Sequence, residues 1–325
     1  MQFIRHFLLA MQFFTRIPIT GRLASWVGYS PGMLRASAAH FAGIGWVVGS
    51  LAATTYGVLV STINSAYAPL VAAVLSTVAT VMLTGGFHED GLADVADGLG
   101  GTYAGNPTSE AGDPTSDAGI AQRTRALDIM KDSRVGAFGA MALVLALLAK
   151  VALLAALADA TSGVGGIVVG SGLGTGLAGV AAGVAAAGVS SSGADPSSLP
   201  GLYNLPVACL LILCAHVVSR ACPMVLVRVL AHVGDTASSK SKPLADQIGL
   251  GALLSNFLWC FGLIPLVIYA QAAIIFVAAC AAALLALCWM WRLFAQRLQG
   301  FTGDCLGATQ QVCELAFYLG ALWAM

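Results

Sequence analysis

The sequence predicts an all-α fold: a multi-pass transmembrane helical bundle of about seven spans, preceded by an N-terminal amphipathic helix. Three observations predict it. Hydrophobic residues make up 58% of the 325 positions and charged residues only 9%, where a soluble domain is nearer half apolar and a quarter charged. The mean hydropathy is +0.85. Several apolar runs reach the roughly 20 residues that a bilayer span requires.

The elements follow in order. At the start, Phe3, Phe7, Leu8, Met11 and Phe14 recur at helical spacing, with Arg5, Gln12 and Arg16 between them. That pattern is an amphipathic helix lying on the membrane surface. The segment has no small-residue cleavage site, so no secretory signal peptide is expected. Spans are expected at roughly 38–62, 66–84, 136–158, 204–229, 248–269, 271–291 and 307–325. With the N-terminus cytoplasmic, the regions 1–37, 85–135, 230–247 and 292–306 share one side. All but two of the 15 basic residues, Lys150 and Arg220, fall there or at its edge, as the positive-inside rule requires.

The chain reads as one integral-membrane domain, residues 1–325, with 85–135 as its cytoplasmic active-site region. Residues 161–200 are a low-complexity stretch rich in Gly, Ala and Ser, with Asp195 as their only charge. They read as a flexible extracytoplasmic linker. Their small residues would also suit an eighth packed helix, which the charge distribution disfavours because later bases would change sides. Residues 102–122, with two prolines, three acids and little apolar surface, read as a mobile loop. A net charge of zero gives no field for nucleic acid, and the eight cysteines form no CxxC pair. Neither a zinc ribbon nor a disulfide scaffold is suggested.

The stretch TGGFHEDGLADVADGLGG, residues 84–101, places four carboxylates and a histidine within ten positions of a chain that is otherwise poor in charge. On a helix, residues 90 and 97 lie within about 20° of each other, and 94 stands one turn from each. Asp90, Asp94 and Asp97 therefore share a face, with Glu89 and His88 to its side. Three like charges on one face repel unless a cation fills the gap. Mg²⁺ suits such a set, since it takes one or two carboxylates and shares its remaining sites with substrate phosphate. The bland alternative is a solvated acidic face beside the membrane.

Further residues extend the set. Lys131 or Arg134, just before the third span, would clamp phosphate oxygens while Asp132 completes the metal site. Bases at that border are also what topology alone supplies. Arg220 lies inside a span, and an intramembrane charge is a functional candidate by default; snorkelling to the edge is the other reading. His216 stands one turn earlier. Lys240 and Lys242, in a polar loop, suit an anionic ligand or lipid headgroups equally. Thr302 and Gly303 lie in a glycine-rich turn before the last span, where backbone N–H groups approach an anion. Asp304 is placed there as a metal ligand or a helix cap. Glu314 falls about two and a half turns into that helix, toward the bundle interior.

These residues carry a resemblance. The stretches LLAMQFFTRIPI (8–19), GGFHEDGLADVADGLGG (85–101), IMKDSRVGAFGA (129–140) and GFTGDCLGATQQ (300–311) resemble the cobalamin synthase (adenosylcobinamide-GDP ribazoletransferase) family, as do SRACP (219–223) and SSKSKPLAD (238–246). The resemblance implies a Mg²⁺-dependent enzyme of the cytoplasmic membrane, its active site facing the cytoplasm. It would pass the phosphate of adenosylcobinamide-GDP to a ribose hydroxyl of α-ribazole or α-ribazole 5′-phosphate, releasing GMP. On that reading Asp90, Asp94 and Asp97, with Asp132 and Asp304, hold the metal. Lys131 and Arg220 stabilise the transition state, while His88 or an unengaged carboxylate such as Glu89 takes the proton. Arg134, Lys240, Lys242, Thr302 and Gly303 contact substrate. A homo-oligomer is compatible with this reading. The rivals are a membrane phosphotransferase of the CDP-alcohol type, which needs a lipid acceptor, and a cation-coupled transporter, which needs charge at mid-bilayer.

Overall fold

The computed structural model describes residues 1–102, 116–132, 134–163, 205–234 and 248–325. The readings of Asp195, Lys240, Lys242, the Gly/Ala-rich segment beyond 163 and residues 103–115 fall outside them. The described secondary structure is helical, apart from one isolated bridge between His232 and Phe301. The longer helices are α1 (Gln2–Phe14), α2 (Gly21–Val27), α3 (Pro31–Ser37), α4 (Phe41–Thr62), α5 (Ala68–Thr84), α6 (Phe87–Gly101) and α7 (Asp117–Met130). They continue with α8 (Ala137–Gly163), α9 (Leu205–Val229), α10 (Leu250–Phe261), α11 (Ile264–Tyr269), α12 (Ala273–Arg297) and α13 (Gly303–Trp323).

Among the described residues, five stretches are long and apolar enough to cross a bilayer: 31–62, 137–158, 205–229, 250–269 and 273–297. A sixth exists if α5 and α6 count together, but they meet at 90°. The sequence predicts seven. The shortfall lies at α5, whose 17 residues fall short of a full span, and at α13, which has 21 residues but carries Asp304, Gln310, Gln311 and Glu314. The physical reason for the second is burial: α13 packs against α6, α8, α9 and α12. A helix enclosed by others need not be apolar all round, because its polar atoms find protein partners.

Helix contacts use small residues and few polar links. Gly45 lets α4 close on α9, where an added Cβ would stand 2.6 Å from the Cα of Val217. This is the backbone approach that small residues permit in membrane bundles. The Tyr56 hydroxyl donates to the Leu154 carbonyl at 2.8 Å, tying α4 to α8. Asn256 on α10 accepts from the Ala42 N–H at 2.9 Å, satisfying a free donor at the start of α4.

The N-terminal helix is amphipathic as expected. Leu9, Ala10 and Phe14 are buried, and Phe3 and Phe7 stack on Trp259. The loop expected at 102–122 ends earlier than the sequence suggests. The Ser116 hydroxyl accepts from the Gly119 N–H at 3.1 Å and starts α7 at Asp117.

Described parts of the regions expected to share one side meet at one end of the bundle. The Arg16 N–H donates to the Leu83 carbonyl at 2.7 Å. Arg123 reaches Gln299 at 3.1 Å, and Arg297 reaches Thr102 at 3.1 Å. The backbones of Ala231 and Val233 pair with Phe301.

Candidate active site

The acidic helix is not a continuation of the second span. Gly85 and Gly86 have φ of 77° and 73°, a region open to glycine at little cost. The chain turns there, so α6 leaves the direction of α5 at 90°. Its face packs on α7, α8 and α13.

Asp97 is buried, and both its oxygens are engaged. They accept from the N–H groups of Gly136 at 2.7 Å and Gly139 at 2.8 Å. The carboxylate thus closes the N-terminus of α8, where free N–H groups and the helix dipole favour a negative charge. Glycine stands at 136 and 139 because a Cβ at either would overlap the Asp97 carboxylate.

Gly91 makes the second juxtaposition. A Cβ there would lie 2.7 Å from the Asp304 carbonyl oxygen and 3.0 Å from its Cα, so only glycine lets α6 rest against the first turn of α13. That turn is built by Thr302, whose hydroxyl accepts from the Cys305 N–H at 3.4 Å and lies 3.3 Å from Asp304 Oδ2. Gly303 is the first residue of the helix.

Asp94 sits between these groups. Burial first, and then the carboxylates of Asp304, Asp90 and Asp97, push its pKa up to about 7. Burial also raises Asp304, against the opposing hydrogen bond from Thr302. Among the described residues none of the four is ion-paired with a lysine or arginine. Nor do three carboxylate, imidazole or thiolate groups already stand close enough together to share one ion. Asp90 is exposed at the mouth of a groove of about 570 Å³, lined also by Thr15, Arg16, Glu89 and Leu143. The chemistry of the donors is what a hard divalent cation takes, carboxylate oxygens with no ion-paired base among the described residues, although the side chains stand too far apart to share one ion as they lie.

The motif before α8 lies differently. Asp132 is gripped by Arg134, through its N–H and its guanidinium, on the protein's exterior. That hydrogen bond holds the Asp132 carboxyl below its usual range. The carboxylates that act on Asp94 come from α6 and α13 only. Lys131 is exposed, 3.8 Å from Asp128.

Behind α6 lies a buried polar array that the sequence only hinted at. Arg220 is 2% exposed. It does not reach out to the rim: its Nη1 donates to the His216 carbonyl at 3.0 Å and lies 3.1 Å from His216 Nδ1. Lys150 Nζ stands 2.7 Å from Glu314 Oε1, and His216 Nδ1 stands 3.5 Å from Oε2. His88 is buried, its ring stacked on Phe41 at 5.8 Å. Glu89 Oε1 accepts from Gln311 at 3.0 Å. Among the buried atoms without a partner are His88 Nε2, Glu89 Oε2 and Arg220 Nε. Sequence reasoning missed Lys150, Gln310 and Gln311. The available signal was the pairing of one lysine and one glutamate in separate hydrophobic segments, each too costly to bury alone.

A membrane helical bundle that collects carboxylates at one end, beside buried cations, is the architecture of an integral-membrane enzyme. The chain belongs to the cobalamin-5-phosphate synthase family, whose sequence model matches residues 6–110, 114–187 and 171–322. An adenosylcobinamide-GDP ribazoletransferase of Polaromonas naphthalenivorans is 54% identical over 98% of both chains. One from Polaromonas sp. (strain JS666) is 54% identical over 98% of this chain and 96% of its own. One from Albidiferax ferrireducens is 50% identical over 98% of each. No solved structure matches the chain.

Proposed function

We propose that the chain transfers the adenosylcobinamide phosphate group from adenosylcobinamide-GDP to a ribose hydroxyl of α-ribazole or its 5′-phosphate, releasing GMP and completing the nucleotide loop of cobalamin. The names of its close relatives support this, as does one observation: the carboxylates of Asp90, Asp97 and Asp304 all act on Asp94, and among the described residues none of the four is ion-paired with a base. A diphosphate substrate brought in with a divalent cation supplies what that set lacks.

Asp90, Asp94 and Asp304 are the residues that would hold Mg²⁺, with Asp97 adding its charge while it braces α8. When bound, the ion neutralises pyrophosphate oxygens and eases the departure of GMP. The protein's own groups do the rest. Glu89 lines the groove beside Asp90, its Oε2 is without a partner among the described residues, and it takes the proton of the attacking hydroxyl. That oxygen forms the new bond to the corrinoid-side phosphorus, and the bond from this phosphorus to GMP breaks. Arg220, fixed by His216, sets a positive charge behind α6 against the negative charge that grows during transfer. Lys131 and Arg134, exposed near the start of α8, meet the anionic substrate as it arrives.

The catalytic end faces the cytoplasm of the cell's inner membrane, a reading supported by Arg16, Arg123, Lys131, Arg134 and Arg297 at that end. The test is GMP release by purified protein given adenosylcobinamide-GDP and α-ribazole, with Mg²⁺ and with EDTA. Release that depends on both substrates and stops with EDTA is expected. No release with Mg²⁺ present sinks the assignment, and release that survives EDTA removes the metal from it.

A further inference from the structure

The polar stripe of α13 forms one continuous hydrogen-bonded line from the middle of the bundle to the edge of the site. Lys150 Nζ meets Glu314 Oε1 at 2.7 Å. Glu314 Oε2 accepts from Gln310 Nε2 at 2.7 Å. Gln310 Oε1 accepts from Gln311 Nε2 at 3.1 Å. The same Nε2 donates to Glu89 Oε1 at 3.0 Å. Gln310 Nε2 also donates to Ser219 Oγ at 3.1 Å, which ties the line to α9. Lys150, Gln310, Gln311 and Glu314 are all buried, none more than 4% exposed.

The line has one direction. Ionised carboxylates only accept hydrogen bonds, so Glu314 forces Gln310 to turn its NH₂ inward. Gln310 must then present its carbonyl oxygen to Gln311, whose Nε2 donates both to it and to Glu89. Turning either amide over would set oxygen against oxygen in a low-dielectric interior, at a steep cost. Each member thereby fixes the rotamer of the next, and Lys150 supplies the charge that anchors the first.

We infer that Gln311 is a positioning residue. It pins Glu89 by Oε1 and so directs Oε2, the oxygen left without a partner. The inference rests on the reading of Glu89 as proton acceptor. Nothing in the line touches substrate; its effect passes through Glu89.

The experiment is a double-mutant cycle on the full-length protein in detergent, read by GMP release at saturating and limiting substrate. Gln311→Met keeps the volume and removes both donors. It is expected to lower kcat by about tenfold to a hundredfold, the worth of a hydrogen bond to a charged group, with KM for both substrates unchanged. The same change in a Glu89→Gln background is expected to cost nothing further. An equal loss in both backgrounds, a loss carried by KM, or no loss at all overturns the inference. Should Glu89→Gln fall below detection, the kcat-against-KM split decides alone. Full turnover by Glu89→Gln would instead remove Glu89 as the acceptor and the inference with it, and silence from the wild type would reject the proposed reaction itself.

Discussion

Lys150 and Glu314 come from helices 164 positions apart in sequence, and their charged ends lie 2.7 Å apart in the bundle interior. Each pays for the other's desolvation only while both are present. Removing Lys150 leaves the buried Glu314 carboxylate with only Gln310, Tyr318 and His216 beside it; breaking a buried ion pair costs about 3–5 kcal/mol, whereas replacing both partners with apolar groups of like volume is often neutral. Lys150→Met should therefore lower the melting temperature in detergent sharply. Lys150→Met combined with Glu314→Leu should recover much of that loss. If the double variant is no more stable than the single, the pair does not carry this energy.

Asp97 gives a test of helix capping. Asp97→Ala removes the acceptor for two N–H groups at the start of α8, and loss of such a cap costs about 1 kcal/mol, up to about 2. Gly139→Ala should act at the same place by driving a methyl into the carboxylate. Both are expected to lower thermal stability, and Asp97→Asn, which keeps one acceptor, less so. Equal melting temperatures for wild type and Asp97→Ala would deny the cap any weight.

Asp94 predicts an unusual pH dependence. Its pKa is raised from the usual carboxylate value to about 7, so between about pH 4 and 7 the folded state binds a proton that the unfolded state has released. Stability in EDTA should then fall as pH rises through that window, because the unfolded chain carries fewer protons. Mg²⁺ requires the ionised carboxylate, so its stabilising effect should be larger at pH 8 than at pH 6. Asp94→Asn should flatten both trends and abolish turnover. A melting temperature with no Mg²⁺ response at pH 8, or full turnover by Asp94→Asn, would refute this account.

Gly91 separates proximity from charge. Gly91→Ala adds no charge and removes no ligand, but its methyl would meet the backbone of Asp304 at 2.7 Å. The helices must part by some tenths of an ångström or more, and reacting groups displaced on that scale lose rate steeply. Turnover should fall at least tenfold and the apparent Mg²⁺ requirement should rise. Unchanged kinetics would show that α6 and α13 need not touch at this point.

Much of the fold is legible in the chain because its causes are local. Span-length apolar runs, the period of Phe3, Phe7 and Phe14, and the spacing of Asp90, Asp94 and Asp97 all follow from backbone geometry and solvent preference. The five stretches that length and hydropathy pick out fall short of the expected seven where tertiary burial, rather than hydropathy, accommodates the polar residues. In α13, Gln310, Gln311 and Glu314 look too polar for a membrane segment, yet each has a partner inside the bundle. Gly85 and Gly86 permit a turn at positive φ, but its 90° angle is set by packing.

The sequence by itself determined that this is a membrane helical bundle of the cobalamin-5-phosphate synthase family, with its acids concentrated before and after particular spans. Only the tertiary structure decided that Asp304 joins Asp94 while Asp132 turns to Arg134, that Asp97 caps another helix, and that Lys150 answers Glu314. The reason is physical: periodicity reports which face of one helix a residue occupies, while the partner met on that face depends on packing between segments far apart in the chain.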